Sequence, residues 1–193
     1  MTVCDKDIRS ILYNEYFQDF RNDPDTVIVD ELELCLGEAR IDIAVINGAI
    51  HGYEIKSERD TLKRLLAQRD VYNKVFDTVT IITSKNHIDK VLEIVPSWWG
   101  VIQVEKKSGK NFGLNFIRQA MPNKDVDPFA LVQLLWRNEA LNLLKKYGLQ
   151  KGYLSKPRSE IWAKLAASLS LDKLRYEVRE AIKGRKKWRD GRQ

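Results

Sequence analysis

Cysteine and histidine are scarce in this chain of 193 residues: Cys4, Cys35, His51 and His87, with no CxxC pair. That count excludes a zinc finger and a disulfide framework, and leaves both cysteines as ordinary packing residues. Long apolar runs are missing as well. No stretch suffices to span a bilayer, and the opening Met-Thr-Val-Cys-Asp-Lys-Asp lacks the charged and apolar regions of a signal peptide, so a cytosolic (cytoplasmic) protein is expected. Acidic residues are few in the second half. Residues 106–193 hold 8 Asp and Glu against 21 Lys and Arg, net +13, whereas residues 1–105 hold 19 against 12, net −7. The overall +6 therefore hides an acidic half suited to a metal site and a basic half suited to gripping a polyanion, nucleic acid above all.

What is present is a globular composition, 44% hydrophobic and 31% charged, at a length that fits one domain and an extension. The organising stretch runs from Asp42 to Lys56. Two β-branched runs flank Asn47-Gly48, which predicts a β-hairpin. Side chains alternate along a strand, so Glu54 and Lys56 share a face. A two-residue loop would set Asp42 opposite Tyr53, and a three-residue loop or a bulge would set it opposite Glu54. The apolar pattern favours the second register. It groups Ile41, Ile43, Val45, His51, Tyr53 and Ile55 on a buried face, with Asp42, Ala44, Gly52, Glu54 and Lys56 on the other. Two acids and a base gathered among small side chains must face water or hold a cation.

Paired carboxylates beside a lysine suit metal-dependent phosphodiester hydrolysis. The acids hold a hard ion, Mg²⁺ or Mn²⁺, which polarises phosphate and activates water, while the ammonium orients that water or neutralises developing charge. Asp42 followed by Glu54-Ile55-Lys56 resembles the PD-(D/E)xK nuclease superfamily, with Ile41 in place of its Pro. Gln68 and Tyr72, one turn apart on the next helix, resemble the QxxxY motif of its RecB-like branch. The resemblance covers residues 5–105. It implies Asp42, Glu54 and the Ile55 carbonyl as metal ligands, Lys56 as the catalytic ammonium, and Gln68 and Tyr72 as positioning groups. It also implies an α/β fold with a restriction-endonuclease-like αβββαβ core, a mixed sheet and a helical C-terminal extension. Glu15, Glu31 and Glu33 are further candidate acids.

The element order read from the sequence agrees with that core. A helix spans 5–20, strands cover 26–34, 77–83 and 100–105 besides the hairpin, and a helix over 87–95 stops at Pro96. A helix capped by Asp60 carries Leu62, Leu65, Leu66, Val75 and Phe76. Trp98 and Trp99 are a packing anchor or, less simply, a base-stacking platform. Residues 106–125 form a basic turn and linker with a strand-like piece at 112–118, and residues 126–193 form a basic helical extension. There Asp127, Pro128 and Gly148 delimit one helix whose apolar face includes Trp136, and helices over 157–167 and from Leu171 follow. Arg175, Arg179, Lys183, Lys186 and Lys187 form a stripe expected to contact phosphates without reading sequence. The expected function is a metal-dependent deoxyribonuclease acting on DNA. The alternatives are a non-catalytic DNA-binding protein that uses the basic helices, and an RNA nuclease or partner-binding subunit. A homodimer or a protein partner stays open.

Overall fold

Valine, isoleucine and threonine dominate the runs 27–29, 41–46 and 78–83, and stiff branched side chains fit a pleated sheet better than a helix. The computed structural model describes residues 3–107 and 112–185, and in it these runs are strands of one six-stranded sheet. The chain opens with α1 (Asp5–Ile11), a π-helical turn (Leu12–Tyr16) and α2 (Gln18–Asn22). Then come β1 (Val27–Leu34), β2 (Ala39–Ile46), β3 (Ile50–Lys56), α3 (Leu65–Val75), β4 (Thr78–Ser84), α4 (Ile88–Ile94), β5 (Gly100–Lys106) and β6 (Phe112–Arg118). Four helices close it: α5 (Pro128–Val132), α6 (Arg137–Lys146), α7 (Arg158–Ser168) and α8 (Leu171–Lys183).

Strand order in the sheet follows chain order, β1 to β6. The pairs β1–β2, β2–β3 and β5–β6 are antiparallel, whereas β3–β4 and β4–β5 are parallel. The parallel steps are the ones whose connections carry α3 and α4, as a parallel return requires. The architecture is mixed α/β, and that coarser class is what the structure shows of the expected restriction-endonuclease-like core.

Both sheet faces are covered. On one, Ile8, Leu12 and Phe17 lie over Ile43, Val45, Tyr53, Ile55, Ile82 and Ile102. On the other, one apolar cluster runs from Val27 to Ile182 and takes in Tyr72, Val91, Trp99, Leu131, Leu144, Trp162 and Val178. The C-terminal helices thus share a core with the sheet. Trp99 is fully buried and donates from its indole N–H to Asn73 Oδ1 at 2.9 Å, a packing role.

Several expectations shift in detail. The opening helix is interrupted by the π-helical turn and by Phe17, and Glu15 is exposed on that turn, outside any acid cluster. Asp60 does not cap α3. It accepts from the N–H and hydroxyl of Ser57 at 2.7 and 2.6 Å and closes the turn before that helix. Residues 112–118 are an integral sixth strand rather than part of a linker. The helix expected from Pro128 to Gly148 breaks at residues 133–136. Asp127 caps α5 by accepting from Ala130 N–H, and Glu139 accepts the N–H of Trp136 at 2.7 Å to start α6 afresh.

Candidate functional site

The hairpin loop has three residues, Asn47, Gly48 and Ala49, so Ile46 pairs with Ile50 and Ile43 with Tyr53. That register sets Asp42 across from Glu54, as the apolar pattern predicts. The grouping of faces differs at one point: Ile41 joins the cluster of Ala44 and Ile46, while Ile43 and Val45 join the opposite one. Alternation therefore slips at Asp42. It slips in β1 as well, where Glu31 has φ 55° and no ladder partner between the pairs Asp30–Ile43 and Leu32–Ile41. Left-handed geometry in a non-glycine residue is strained, and here it lets consecutive residues turn toward one cation. Asp30 and Glu31 both reach Arg9, at 3.1 and 2.5 Å.

Arg9, from α1, is the residue the motif reading missed. Its guanidinium also lies 2.9 Å from Asp5 and 3.2 Å from Asp42 Oδ1, and it donates to the Asp42 carbonyl. Burial works against its charge, but the hydrogen bond to Asp5 and the surrounding carboxylates hold its pKa above the usual value. Asp42 Oδ2 accepts the N–H of Ile55 at 2.7 Å. Even so, burial, then repulsion from Glu54, pushes the Asp42 carboxyl up to about 7.

Glu54 is almost fully buried and fully engaged. Oε1 accepts from Lys56 Nζ at 2.6 Å and from Gln68 Nε2 at 2.8 Å, and Oε2 lies 2.8 Å from the Tyr72 hydroxyl. That hydroxyl is also 2.7 Å from the Arg40 carbonyl and accepts from Gln68 at 3.1 Å. Its single proton serves Glu54 or Arg40, and burial beside the Glu54 charge raises its pKa strongly. The structure thus gathers Asp42, Glu54, Ile55, Lys56 and Gln68 on a cleft of about 590 Å³, with Tyr72 bonded beneath.

Of the further acids, Glu31 lines this cleft and pairs with Arg9 and with Arg40 (2.8 Å), while Glu33 sits exposed on its wall. Mg²⁺ or Mn²⁺ on Asp42, Glu54 and the Ile55 carbonyl gains no support from this donor set. Each carboxylate oxygen lies within hydrogen-bond distance of a protein donor, a guanidinium stands against Asp42, and no group of three or more His, Cys, Asp or Glu able to hold a metal occurs among the described residues.

Two cations of the α8 stripe are engaged by carboxylates within the fold. Arg175 Nε forms an ion pair with Asp77 Oδ1 at 2.9 Å and ties α8 to the start of β4. Lys183 is 8% exposed and lies between Asp25 (2.9 Å) and Glu180 (2.6 Å). Arg179 is half-buried, and Lys186 and Lys187 lie outside the described residues. Arg175 and Lys183 are therefore corrected from phosphate contacts to struts. Nothing in the local spacing of the stripe reveals Asp77 or Asp25 as partners, so the sequence alone leaves these cations available for phosphate.

Beyond Glu31, Glu33, Gly37 and Arg40 the cleft continues into a groove of about 480 Å³. Its lining includes Arg40, Trp136, Arg158, Trp162 and Arg185, together with the left-handed residues Cys35 and Leu36. The Arg185 guanidinium lies 4.2 Å from the Trp136 ring centre and that of Arg158 4.7 Å from the Trp162 ring centre. The signal for this site was the Glu139 capping pattern, which would have placed Trp136 at a helix start instead of on a buried face.

A protein of unknown function from Silicibacter pomeroyi has a similar structure, with a TM-score of 0.40 and 20% identity over 69% of this chain and 86% of its own. Protein cII of Enterobacteria phage P4 is 29% identical over 161 residues, which is 83% of this chain and 60% of the relative. The chain thus spans about 60% of that relative's length. The family described as Bacteriophage P4 protein cII matches residues 4–191. It is not a PD-(D/E)xK nuclease family, so the resemblance carried by Asp42, Glu54, Lys56, Gln68 and Tyr72 is not membership. The expectation of a metal-dependent deoxyribonuclease is overturned by that match. Matched across nearly its whole length, the chain belongs to the bacteriophage P4 protein cII family.

Proposed function

We propose that this protein binds DNA and leaves it uncut, through the groove between the β1–β2 connection and the α5–α7 helices. One juxtaposition supports the reading: three guanidiniums, Arg40, Arg158 and Arg185, line a single groove with two indoles, Trp136 and Trp162. Guanidinium forks bind phosphate oxygens in pairs, and the buried Trp162 ring backs the Arg158 guanidinium from beneath. Arg158 is the cation best placed to act. It is exposed and has no acidic partner among the described residues, whereas Arg40 and Arg185 are held by Glu31 and Glu139. The excess of 13 positive charges in residues 106–193 adds long-range attraction toward a polyanion.

Fluorescence anisotropy of labelled DNA in rising NaCl tests this. The association constant should fall linearly on a log–log plot, and Arg158→Ala should weaken binding and reduce the slope by about 1, one phosphate contact. DNA incubated with the protein and Mg²⁺ should be recovered at full length. No binding at low salt, or an unchanged slope in the variant, would sink the reading.

A further inference from the structure

The two edges of the sheet are built differently. β1 carries Asp30, Glu31 and Glu33, and Glu31 interrupts its ladder with a left-handed backbone, so charge and strain both guard that edge against another strand. β6 has neither guard between Phe112 and Phe116. Among the described residues it pairs only with β5, and that ladder is regular until the shift opposite Val101 and Ile102 leaves Ile117 without a partner. In a chain with 31% charged residues, the ten from Phe112 to Met121 include one, Arg118. Its guanidinium is turned inward and donates to the carbonyls of Trp99 at 2.7 Å and Pro96 at 3.0 Å. Apolar side chains gather here instead. Phe116, Ile117 and Met121 are all exposed, Phe116 by 58%, a cluster rather than a scatter of single residues. Phe112, Leu114 and Phe116 pair with Lys106, Val104 and Ile102, so they share the face on which Val104 and Ile102 are buried. The Phe116 ring stands 5.7 Å from that of Tyr16 on the same face.

We propose that β6 pairs antiparallel with β6 of a second copy and joins the two six-stranded sheets into one. Main-chain hydrogen bonds from an edge left open supply the contact, as in strand addition generally. Charge and closure select a second copy as the partner. A strand that pairs with itself across a two-fold axis brings like charges together, and an edge without free charge avoids that cost. Pairing of β6 with β1 of another copy would meet the acids and the strain of that edge, and would run on as an open polymer instead of closing. Centred on Leu114, the regular run sets Phe112 of each copy opposite Phe116 of the other, and Leu114 opposite itself. These contacts extend the apolar layer already formed by Val104, Ile102 and α1. The Arg158 groove lies by β1, at the far edge of the sheet, and the pairing does not touch it.

Sedimentation velocity of the full chain without DNA, over rising concentration, reads the stoichiometry, and the limiting mass should be twice the 22.5 kDa of one chain. Phe116→Lys should raise the dissociation constant about tenfold or more, since two aromatic pairs are lost and two ammonium groups meet the new ladder. Circular dichroism and the urea midpoint, taken at a concentration where wild type is a monomer, check that the variant folds. Cysteine pairing reads the register, with wild type as the control for Cys4 and Cys35. A mixture of Phe112→Cys and Phe116→Cys chains should form a disulfide dimer on mild oxidation. Each variant alone should not, because like positions then lie about 13 Å apart along the strands, beyond the reach of a disulfide. A monomer at every concentration, an open polymer, a dimer that Phe116→Lys leaves as tight, or cross-linking in a single variant and not in the mixture overturns the proposal. None of these outcomes bears on DNA binding, which the Arg158 variant tests separately.

Discussion

Asp42 is a carboxyl that folding makes harder to ionise. The folded state keeps its proton to about pH 7, whereas the unfolded chain releases it near pH 4, so the folded state holds more protons across that window. Stability contributed by this group is therefore greatest below pH 4 and falls as pH rises toward 7. The loss is on the order of 4 kcal/mol at full ionisation. In buffer with EDTA, Asp42→Asn should show a flatter pH profile of the urea midpoint between pH 4 and 8 and be the more stable protein at pH 8. A profile parallel to wild type would count against the shift. Arg9→Ala should act the other way, leaving Asp30, Glu31 and Asp42 without their shared cation, at a cost of at least about 1 kcal/mol in unfolding free energy. At this scale the sequence disclosed the cluster's acids on β2 and β3 but not Arg9. The helix that carries Arg9 is 33 positions away from Asp42, and only the fold brings them together.

Among elements, the hairpin was the most legible. Its loop length and register followed from the demand that apolar side chains fall on common faces. What the pattern could not show was the slip at Glu31 and Asp42, because alternation is a rule about regular strands and the slip is a departure from it. The helix expected over 128–148 failed for a related reason. Its apolar spacing runs on across residues 133–136, while the break rests on a single capping contact from Glu139 to the N–H of Trp136. Packing between elements also sets a limit at Gly52. A Cβ there would meet the Phe76 ring at 3.0 Å, and that ring is fully buried at the end of α3. Gly52→Ala should therefore cost about 1–3 kcal/mol by overpacking, read as a lower urea midpoint. Asp127→Ala should cost about 1 kcal/mol through the lost cap of α5.

At the scale of the whole molecule, the change in charge and composition marks a boundary near residue 105. The core ignores that change: Leu131, Leu144, Trp162 and Val178 lie in the same apolar cluster as Val29, Tyr72 and Trp99. Composition records which surface meets water, and charge on a solvated face says little about what the opposite face covers. The chain should accordingly unfold in urea in one transition, with tryptophan fluorescence and far-ultraviolet circular dichroism coinciding. Two separated transitions would restore an independent helical unit. The struts Arg175–Asp77 and Lys183–Asp25 belong to this scale too, since both join the last helix to segments of the first half.

Strand order that repeats chain order has a consequence for how such a protein is made. As the chain leaves the ribosome, each strand after the first meets a neighbour that has already emerged, and none has to be threaded between two existing partners. The sheet can grow from one edge at the pace of synthesis. Before residue 128 only α3 and α4 lie on the face that carries the larger apolar cluster, and the rest of its cover, α5 to α8, arrives later, so that part stands bare until the final third of the chain is complete. A pause in translation near that point would leave an apolar surface waiting, and that interval is where a chaperone would find its target.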